Sequence, residues 1–522
     1  MPRRLQALRH RRMQCRSLLM QMLTAPMHRC IDREEGADVG KMQLRHEQWR
    51  IAGARVDGAT DRLEVRFPYD RALVGTVPLA QAEDVRSALA QAYAYRATLT
   101  RHQRHTILLT ARDLLIARTA AFVQSIVAES GLCVRDASYE VGRAAEVLRT
   151  AAHQVLIDDG DIYACDITQS GQQRRVYTQR DPLLGVIVAI TPFNHPLNQV
   201  AHKIAPSIAT NNRMILKPSE KTPLTALLFA DLLTDAGLPG PMLTVITGKP
   251  EVIGDALLTS EQVDLVTFTG SVAAGKQIAA RCVYKRQVLE LGGNDPMIVM
   301  EDADLDEAVS LAVTGAYRNS GQRCTAIKRL LVHRQVADAF VERLVQATQG
   351  LKVGDPFDPQ TDLGTVIDDA AAAQIERRVD AAAAAGAQVL CGHRRNGAQY
   401  LPTVVDHVMP TMELVQQETF GPVAPIIRID SIDDAIRIAN ASDFGLSSAL
   451  CSNRWDYIQR CVAELQTGSV NIREVPGFRL ESTPFGGIKS SGLGYKEGVL
   501  EAMSAYTNVK TYSLPWGERT VA

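Results

Sequence analysis

The chain has 522 residues, and 57 Lys+Arg nearly balance 58 Asp+Glu, so its formal net charge is -1. With 46% hydrophobic and 5% aromatic residues, this composition is typical of a large globular protein and excludes a charge-driven nucleic-acid partner. No apolar run approaches the ~18 residues that a membrane helix needs, so we expect no membrane partner. At roughly 100 to 200 residues per domain, the length predicts about three domains.

The nine cysteines are spread singly along the chain and include no CxxC pair. This spacing argues against a disulfide scaffold and against a zinc site. We therefore expect no metal and a reducing, cytoplasmic location.

Residues 1–41 form a basic leader, in which seven arginines precede the first acid, Asp32. A poorly ordered terminus is the expected structure. The alternative is an organelle-targeting sequence, because the segment is rich in arginine and poor in acids.

Folded sequence is predicted from residue 42, first as a small sheet and then, from Leu79 to Val155, as long amphipathic helices. Residues 156–181 predict a hairpin with its turn at Ser170 and Gly171. The last segment, from Ser504 to Trp516, alternates like an edge strand that joins this hairpin.

The middle of the chain alternates short β-branched runs with helical periodicity. Helices are predicted at 196–210, 222–236, 249–258 and 272–281, each between two apolar strands. This alternation indicates βαβ units and a parallel sheet. A second alternating block follows at 303–475.

Two motifs indicate a dinucleotide site. Gly270 and Ser271 end a strand and begin a helix, where backbone amides bind a pyrophosphate. Lys217 and Glu220 follow the carboxyl end of another strand, the edge where open parallel sheets bind nucleotides. Glu220 would accept protons from ribose hydroxyls and repel a 2'-phosphate, which favours NAD over NADP. Tight packing and solvated loop charges are the alternatives.

Two further residues are candidates for acid–base and nucleophilic chemistry. Glu290 lies in an apolar stretch, where desolvation raises the pKa of a carboxyl group towards that of a useful base. Cys324 is flanked by Arg323 and Lys328, cations that favour the thiolate form. The alternative for an isolated cysteine is a small buried apolar residue.

Seven motifs in chain order resemble those of the aldehyde dehydrogenase superfamily: TPFNHP, KPSE, FTGS, LELGG, GQRCT, QETFGP and PFGGIKSSG. The resemblance covers roughly residues 45 to 516. It implies an α/β fold with a Rossmann-like cofactor domain, an α/β catalytic domain and a β oligomerisation arm. The implied boundaries are 42–155 and 182–290 for the NAD-binding domain, 291–475 for the catalytic domain, and 156–181 with 476–522 for the arm and C-terminal segment.

The resemblance also implies a role for each matching residue. Cys324 corresponds to the nucleophile, Glu290 to the general base, and Asn194 with the Cys324 amide to the oxyanion hole. The implied cofactor is NAD, and the implied assembly is a homodimer or homotetramer. The implied cofactor contacts are Lys217, Glu220, Gly270, Ser271, Glu418 and Phe420.

Four residues near the motifs predict a negatively charged substrate, because arginine is a rigid fork suited to phosphate, phosphonate or carboxylate. They are Arg143, His195, Arg323 and Arg479. With GYKEG at 494–498, they resemble the phosphonoacetaldehyde dehydrogenases of the superfamily and favour oxidation of phosphonoacetaldehyde to phosphonoacetate. Alternatives are non-phosphorylating glyceraldehyde-3-phosphate, lactaldehyde, succinate-semialdehyde and coenzyme A-acylating dehydrogenases, and a catalytically silent binding protein.

Overall fold

The computed structural model describes residues 44–58, 61–157, 160–169, 173–494 and 497–516. The basic leader and the hairpin turn at Ser170 and Gly171 lie outside these ranges. Within the ranges, no helix is both long and apolar enough to cross a membrane.

The first part of the described chain holds short strands followed by four helices. The strands are β1 (Arg45–His46), β2 (Trp49–Ile51), β3 (Ala54–Val56), β4 (Arg62–Arg66) and β5 (Leu73–Pro78). The helices are α1 (Ala82–Ala94), α2 (Arg101–Ala117), α3 (Thr119–Ser130) and α4 (Val134–Val155). The predicted small sheet is present with the order β1-β5-β4. The predicted helices are also present, with a break at Arg118 between α2 and α3.

The first large sheet follows the two hairpin strands, β6 (Ile162–Ala164) and β7 (Arg174–Pro182). In chain order its elements are β8 (Val186–Ile190), α5 (Asn198–Ala209), β9 (Met214–Lys217), α6 (Leu224–Asp235), β10 (Leu243–Val245), α7 (Pro250–Thr259), β11 (Val263–Thr269), α8 (Val272–Arg281) and β12 (Arg286–Glu290). The strand order is β12-β11-β8-β9-β10-β2-β3. Strands β8 to β12 pair in parallel, which confirms the predicted βαβ architecture.

Most of the remaining elements form a second large sheet, the helices near it, and two separate two-stranded sheets. These are β13 (Asp295–Val299), α9 (Leu305–Tyr317), β14 (Ile327–His333), α10 (Arg334–Gln349), α11 (Asp369–Ala384), β15 (Gln388–Cys391), β16 (Arg395–Asn396), β17 (Gln399–Tyr400), β18 (Thr403–Asp406), α12 (Glu413–Gln416), β19 (Val423–Ile429), α13 (Ile432–Asn440), β20 (Phe444–Gly445), β21 (Ser447–Cys451), α14 (Trp455–Glu464), β22 (Ser469–Ile472) and β23 (Ile488–Lys489). The strand order of the large sheet is β15-β18-β19-β14-β13-β21-β22, and the two-stranded sheets are β16-β17 and β20-β23.

A separate three-stranded sheet ends the fold. After α15 (Val499–Ala505), strand β24 (Thr507–Pro515) pairs antiparallel with β7, from Thr507 opposite Pro182 to Pro515 opposite Arg174. The strand order β24-β7-β6 confirms that the C-terminal segment joins the hairpin. The domain boundaries themselves stay a prediction.

Alternating side chains divide each large sheet into two buried faces. In β8, Ile187 and Ala189 pack with α2, α4, α5 and α6, whereas Val186 and Val188 pack with α1, α7 and α8. The second sheet is likewise covered by α11 and α13 on one face and by α9 and α10 on the other. Residues 291–294 connect β12 directly to β13, so the end of the first sheet meets the start of the second.

Candidate active site

Cys324 lies between two cavities and contributes to the lining of both. It follows a 3-10 turn, Arg318–Gly321, that ends α9. Gly321 has φ +70°, and a Cβ there would lie 2.2 Å from the Gly421 carbonyl oxygen, so this position requires glycine. The turn ends the helix abruptly and presents Cys324 to the space between the two sheets.

The first cavity has a volume of about 440 Å³ and a mainly apolar wall. Phe193 and Phe420 lie edge to face, with ring centroids 5.9 Å apart. Apolar walls with a few polar groups are typical of a site for a flat aromatic ligand. Five residues predicted from the sequence lie in this wall besides Cys324: Asn194, Gly270, Ser271, Glu418 and Phe420.

Glu418 is fixed in place by two donors. Its Oε1 atom accepts from the Gly293 amide and from Lys328 Nζ, each at 3.0 Å. Lys328 also donates to the carbonyl oxygens of Gly293 and Cys324, at 2.8 and 3.1 Å. The Lys328 ammonium group therefore contacts three parts of the site. These are Glu418, the segment 291–294 that links the two sheets, and the loop that holds Cys324.

The state of the Cys324 thiol differs from the sequence prediction. Burial raises its pKa to about 12, and the opposing effect of Lys328 is smaller. Asp295, Glu418 and Glu290 add negative charge that raises the pKa further. The prediction of a thiolate stabilised by neighbouring cations is therefore wrong for this state of the protein, because desolvation outweighs the cations.

Asn194 is buried beside Cys324 and held by the same loop. Its Nδ2 donates to the Gln322 carbonyl at 2.9 Å, and Asn319 Nδ2 donates to the Asn194 carbonyl at 3.0 Å. Asn319 has φ +61°, and its amide donates to Asp136 Oδ2 at 2.7 Å. Sequence reasoning missed Asn319, although the Asn-Ser-Gly run after a helix signals a turn.

Glu290 ends β12 at the junction of the two sheets, and its side chain is buried. It pairs opposite Thr269 on β11, and its carbonyl accepts from the Gly270 amide at 3.0 Å. Glu290 thus lies next to the predicted cofactor turn, and its charge acts on the Cys324 thiol.

The predicted pyrophosphate turn has the local structure of an anion site. Ser271 is the N-cap of α8 and accepts from the Ala274 amide at 3.3 Å. Nearby, Thr269 lines the first cavity, and its Oγ1 is buried with no hydrogen-bond partner among the described residues. A helix start, an open hydroxyl and apolar walls fit a nicotinamide dinucleotide.

Lys217 and Glu220 are placed differently. They form an ion pair with each other, and neither is among the described residues that line the first cavity. Lys221, one residue further on, does line it and lies 2.9 Å from Asp368. The carboxyl end of β9 therefore reaches the rim of the site, with the predicted pair just outside the wall.

The second cavity, of about 220 Å³, has a mixed polar and apolar lining that includes four arginines, Glu140 and Glu474. All four residues predicted to bind a substrate anion belong to it: Arg143, His195, Arg323 and Arg479. A fifth member, Arg318, was missed by the sequence reasoning. Its guanidinium lies over Tyr139, 3.6 Å from the ring centroid, and Tyr139 also lines the cavity.

The four predicted residues differ in how free their polar atoms are. Arg323 Nη2 donates to the Thr314 and Gly315 carbonyls at 3.1 and 2.7 Å, and burial lowers the Arg323 pKa to about 10. This guanidinium therefore holds the end of α9 as well as facing the cavity. His195 Nδ1 lies 3.5 Å from Glu140 Oε2.

Glu140 in turn accepts from the first amides of the α5 region. Its Oε1 lies 2.7 Å from the Leu197 amide and 2.9 Å from the Asn198 amide. These bonds complete a helix start and use much of the negative charge of Glu140. With four arginines against Glu140 and Glu474, the lining of the second cavity carries an excess of formal positive charge.

We compared this chain with known proteins. The aldehyde dehydrogenase family matches residues 56–512. A 3-sulfolactaldehyde dehydrogenase from Priestia aryabhattai is 36% identical over 448 residues, which are 86% of this chain and 94% of that protein.

Two solved structures have the same fold. Aldehyde dehydrogenase 21 from Physcomitrella patens, in complex with the reaction product succinate, has a TM-score of 0.88 and 31% identity, covering 91% of this chain and 99% of that one. The glyceraldehyde-3-phosphate dehydrogenase GapN from Methanocaldococcus jannaschii, complexed with NADP, has a TM-score of 0.83 and 34% identity over 87% and 99%.

This chain belongs to the aldehyde dehydrogenase family. It is an oxidoreductase with the aldehyde dehydrogenase fold, and it acts on aldehydes with NAD(P). None of the three names above contains phosphonoacetaldehyde, so that substrate stays a prediction.

Proposed function

We propose that this enzyme oxidises a short aldehyde that carries a phosphonate or sulfonate group, with phosphonoacetaldehyde as the first candidate. The observation that carries the proposal is the position of Cys324 between an apolar cavity and an arginine-lined cavity. An aldehyde whose anion enters the arginine cavity would present its carbonyl carbon to the thiol. The name of the Priestia relative adds support, because sulfolactaldehyde is a short anionic aldehyde.

In this mechanism Cys324 adds as thiolate to the carbonyl carbon and forms a thiohemiacetal. The buried thiol must first lose its proton to solvent water, a step in which we assign no role to Glu290. The new alkoxide lies at Asn194 Nδ2 and the Cys324 amide. Asn194 Nδ2 carries two protons and uses one on Gln322, which leaves one for the alkoxide.

We assign the first cavity to the cofactor, with Gly270 and Ser271 at the pyrophosphate and Glu418 and Phe420 near the nicotinamide. NAD bound there would supply the hydride acceptor for the oxidation of the aldehyde-derived carbon. Glu220, beside Lys217 at the rim, would repel a 2'-phosphate, and we propose NAD as the preferred form.

The thioester that remains on Cys324 is cleaved by water. Glu290 deprotonates this water, which attacks the acyl carbon, and the Cys324 thiolate leaves with the release of a carboxylate. A coenzyme A-acylating enzyme would instead transfer the acyl group to coenzyme A. Thioester formation in the presence of coenzyme A would therefore contradict the assignment of Glu290.

A substrate panel tests the proposal. NADH formation is followed with phosphonoacetaldehyde, sulfolactaldehyde, glyceraldehyde 3-phosphate, succinate semialdehyde, lactaldehyde and propionaldehyde. We expect the phosphonate or sulfonate aldehyde to have a kcat/KM at least about tenfold above that of propionaldehyde, from one or more charge-assisted hydrogen bonds. A preference for a neutral aldehyde would contradict the proposal and leave family membership unaffected.

The sheet of β24, β7 and β6 is the proposed oligomerisation arm. Its side chains include exposed apolar residues, among them Ile162, Tyr163 and Leu514. We propose a homodimer or homotetramer that covers them, and light scattering on the purified protein checks this assembly.

A further inference from the structure

Glu481 is an acid beside the arginine cavity that the proposed mechanism does not use. It lies in the loop between β22 and β23, two residues after Arg479. Its side chain is only 8% exposed. A buried carboxylate in a segment without regular structure requires specific partners.

Those partners come from two helices that pack together in the first half of the fold. Arg143 on α4 donates from Nε to Glu481 Oε1 at 2.6 Å, and its Nη2 atom lies 2.5 Å from the same oxygen. His202 on α5 places Nε2 at 2.7 Å from Glu481 Oε2. The carboxylate therefore uses one oxygen for each helix.

The backbone of Glu481 is also held. Its carbonyl accepts from the Val499 amide at 3.1 Å, at the start of α15. His202 is almost fully buried in α5. Burial alone would raise the pKa of Glu481, but its contact with His202 and the charges of Arg143 and Arg479 lower it to about 2, so the carboxylate is ionised at neutral pH. A rigid, charged acceptor of this kind can hold a long side chain in one orientation.

Arg143 is the residue that benefits. Its side chain is 22% exposed and lines the second cavity, where a flexible arginine would lose rotamer freedom on binding a substrate. A bond from Nε to a fixed carboxylate removes that freedom before the substrate arrives.

We propose that Glu481 is a positioning residue that sets Arg143 in the wall of the cavity and so determines selectivity for anionic aldehydes without touching the substrate. This inference rests on the proposed function, since it requires that the second cavity receive the substrate anion. It differs from a purely electrostatic role. Removal of a carboxylate makes the cavity more positive, which by charge alone would strengthen the binding of an anion.

The two roles therefore predict opposite signs for one substitution. With Glu481→Ala, we expect KM for phosphonoacetaldehyde to rise about tenfold, because Arg143 loses its charged partner. The kcat/KM for propionaldehyde should stay within about twofold, since no anion needs Arg143 there. Glu481→Gln keeps the volume of the side chain and should shift KM in the same direction by less, which provides a test if the alanine variant folds poorly.

The matched control is Glu146→Ala, which removes another carboxylate from an arginine pair involving α4. Glu146 lies 2.6 Å from Arg149, and both side chains are exposed. This variant should leave both substrates unaffected. In an Arg143→Ala background, removing Glu481 should no longer raise KM, because the two residues act as one unit.

The other possible kinetic results for the Glu481 variants would contradict the positioning role. A lower or unchanged KM for phosphonoacetaldehyde in both Glu481 variants would overturn the positioning role. An equal loss with both substrates would also overturn it and indicate a purely structural residue. If the wild-type enzyme shows no preference for anionic aldehydes, the proposed function itself fails, and this inference fails with it.

Discussion

Arg479 lies over the Phe485 ring, with its guanidinium carbon 3.8 Å from the ring centroid. Stacking orients the flat guanidinium, while its buried Nη1 atom has no hydrogen-bond partner in the described part of the chain. Arg143 and Arg323, by contrast, donate to protein oxygens. Arg323 Nε also lacks a hydrogen-bond partner in that part of the chain, so Arg479 differs from the other two arginines in making no hydrogen bond to a described protein oxygen.

This relationship predicts a strong effect of Arg479→Lys. Lysine keeps the charge but cannot stack or fork, so we expect KM for an anionic aldehyde to rise by about tenfold or more. Steady-state kinetics with phosphonoacetaldehyde and propionaldehyde check this. An equal change for both substrates would show that Arg479 acts on folding and not on the anion.

The raised pKa of Cys324 predicts slow alkylation of the free enzyme. Only the thiolate reacts, and with a pKa of about 12 its fraction increases with pH throughout the usable range. We expect the iodoacetamide rate at Cys324, followed by mass spectrometry, to rise without a plateau between about pH 7 and 10. A plateau below pH 9 would mean that the thiol is already activated without cofactor.

Glu290→Gln separates the two halves of the proposed reaction. Thioester formation needs only one proton transfer from Cys324, whereas hydrolysis needs a base at every turnover. We expect a burst of NADH close to one equivalent per subunit and a steady state reduced by about 10²–10⁴-fold. Rapid-mixing absorbance measures both. Loss of both the burst and the steady-state rate would mean that Glu290 is already needed to form the thioester.

Gly292→Ala tests the packing that fixes Glu418. A Cβ at Gly292 would lie 2.2 Å from Glu418 Oε2, so the carboxylate must leave its position between Lys328 and the Gly293 amide. We expect KM for NAD to rise at least about tenfold, since charged hydrogen bonds of this kind contribute ~1.5–3 kcal/mol.

Gly142→Ala is the matched control for that substitution. Gly142 lies within α4, and apart from its chain neighbours and the nearby backbone of its own helix, no described atom lies within 4 Å of a Cβ placed there. Alanine should leave the kinetics unchanged and raise the free energy of unfolding by up to ~1 kcal/mol. Thermal unfolding measures that gain. If Gly292→Ala also left the kinetics unchanged, the position of Glu418 would not affect cofactor binding.

Local sequence carried enough information for most of the secondary structure. Strands such as Val263–Thr269 are rich in β-branched residues and largely buried. The four helices between 196 and 281 have clear helical periodicity. These patterns survive because each depends on residues that are close along the chain. The break at Arg118 was missed, since both helices it separates have the same apolar periodicity.

For the site, too, some features could be predicted from the sequence and others depend on tertiary packing. The sequence motifs and the family resemblance they carry predicted Asn194, Glu418 and Arg479 in the cavities at Cys324, but they missed Arg318. The ionisation and hydrogen bonding of the site residues depend on tertiary packing: burial outweighs the cations at the Cys324 thiol, and Arg323 donates to a carbonyl of α9. Arg143 and Glu481 are 338 residues apart, so no local pattern links them. Their contact exists because packing brings α4, α5 and the loop before β23 to one point.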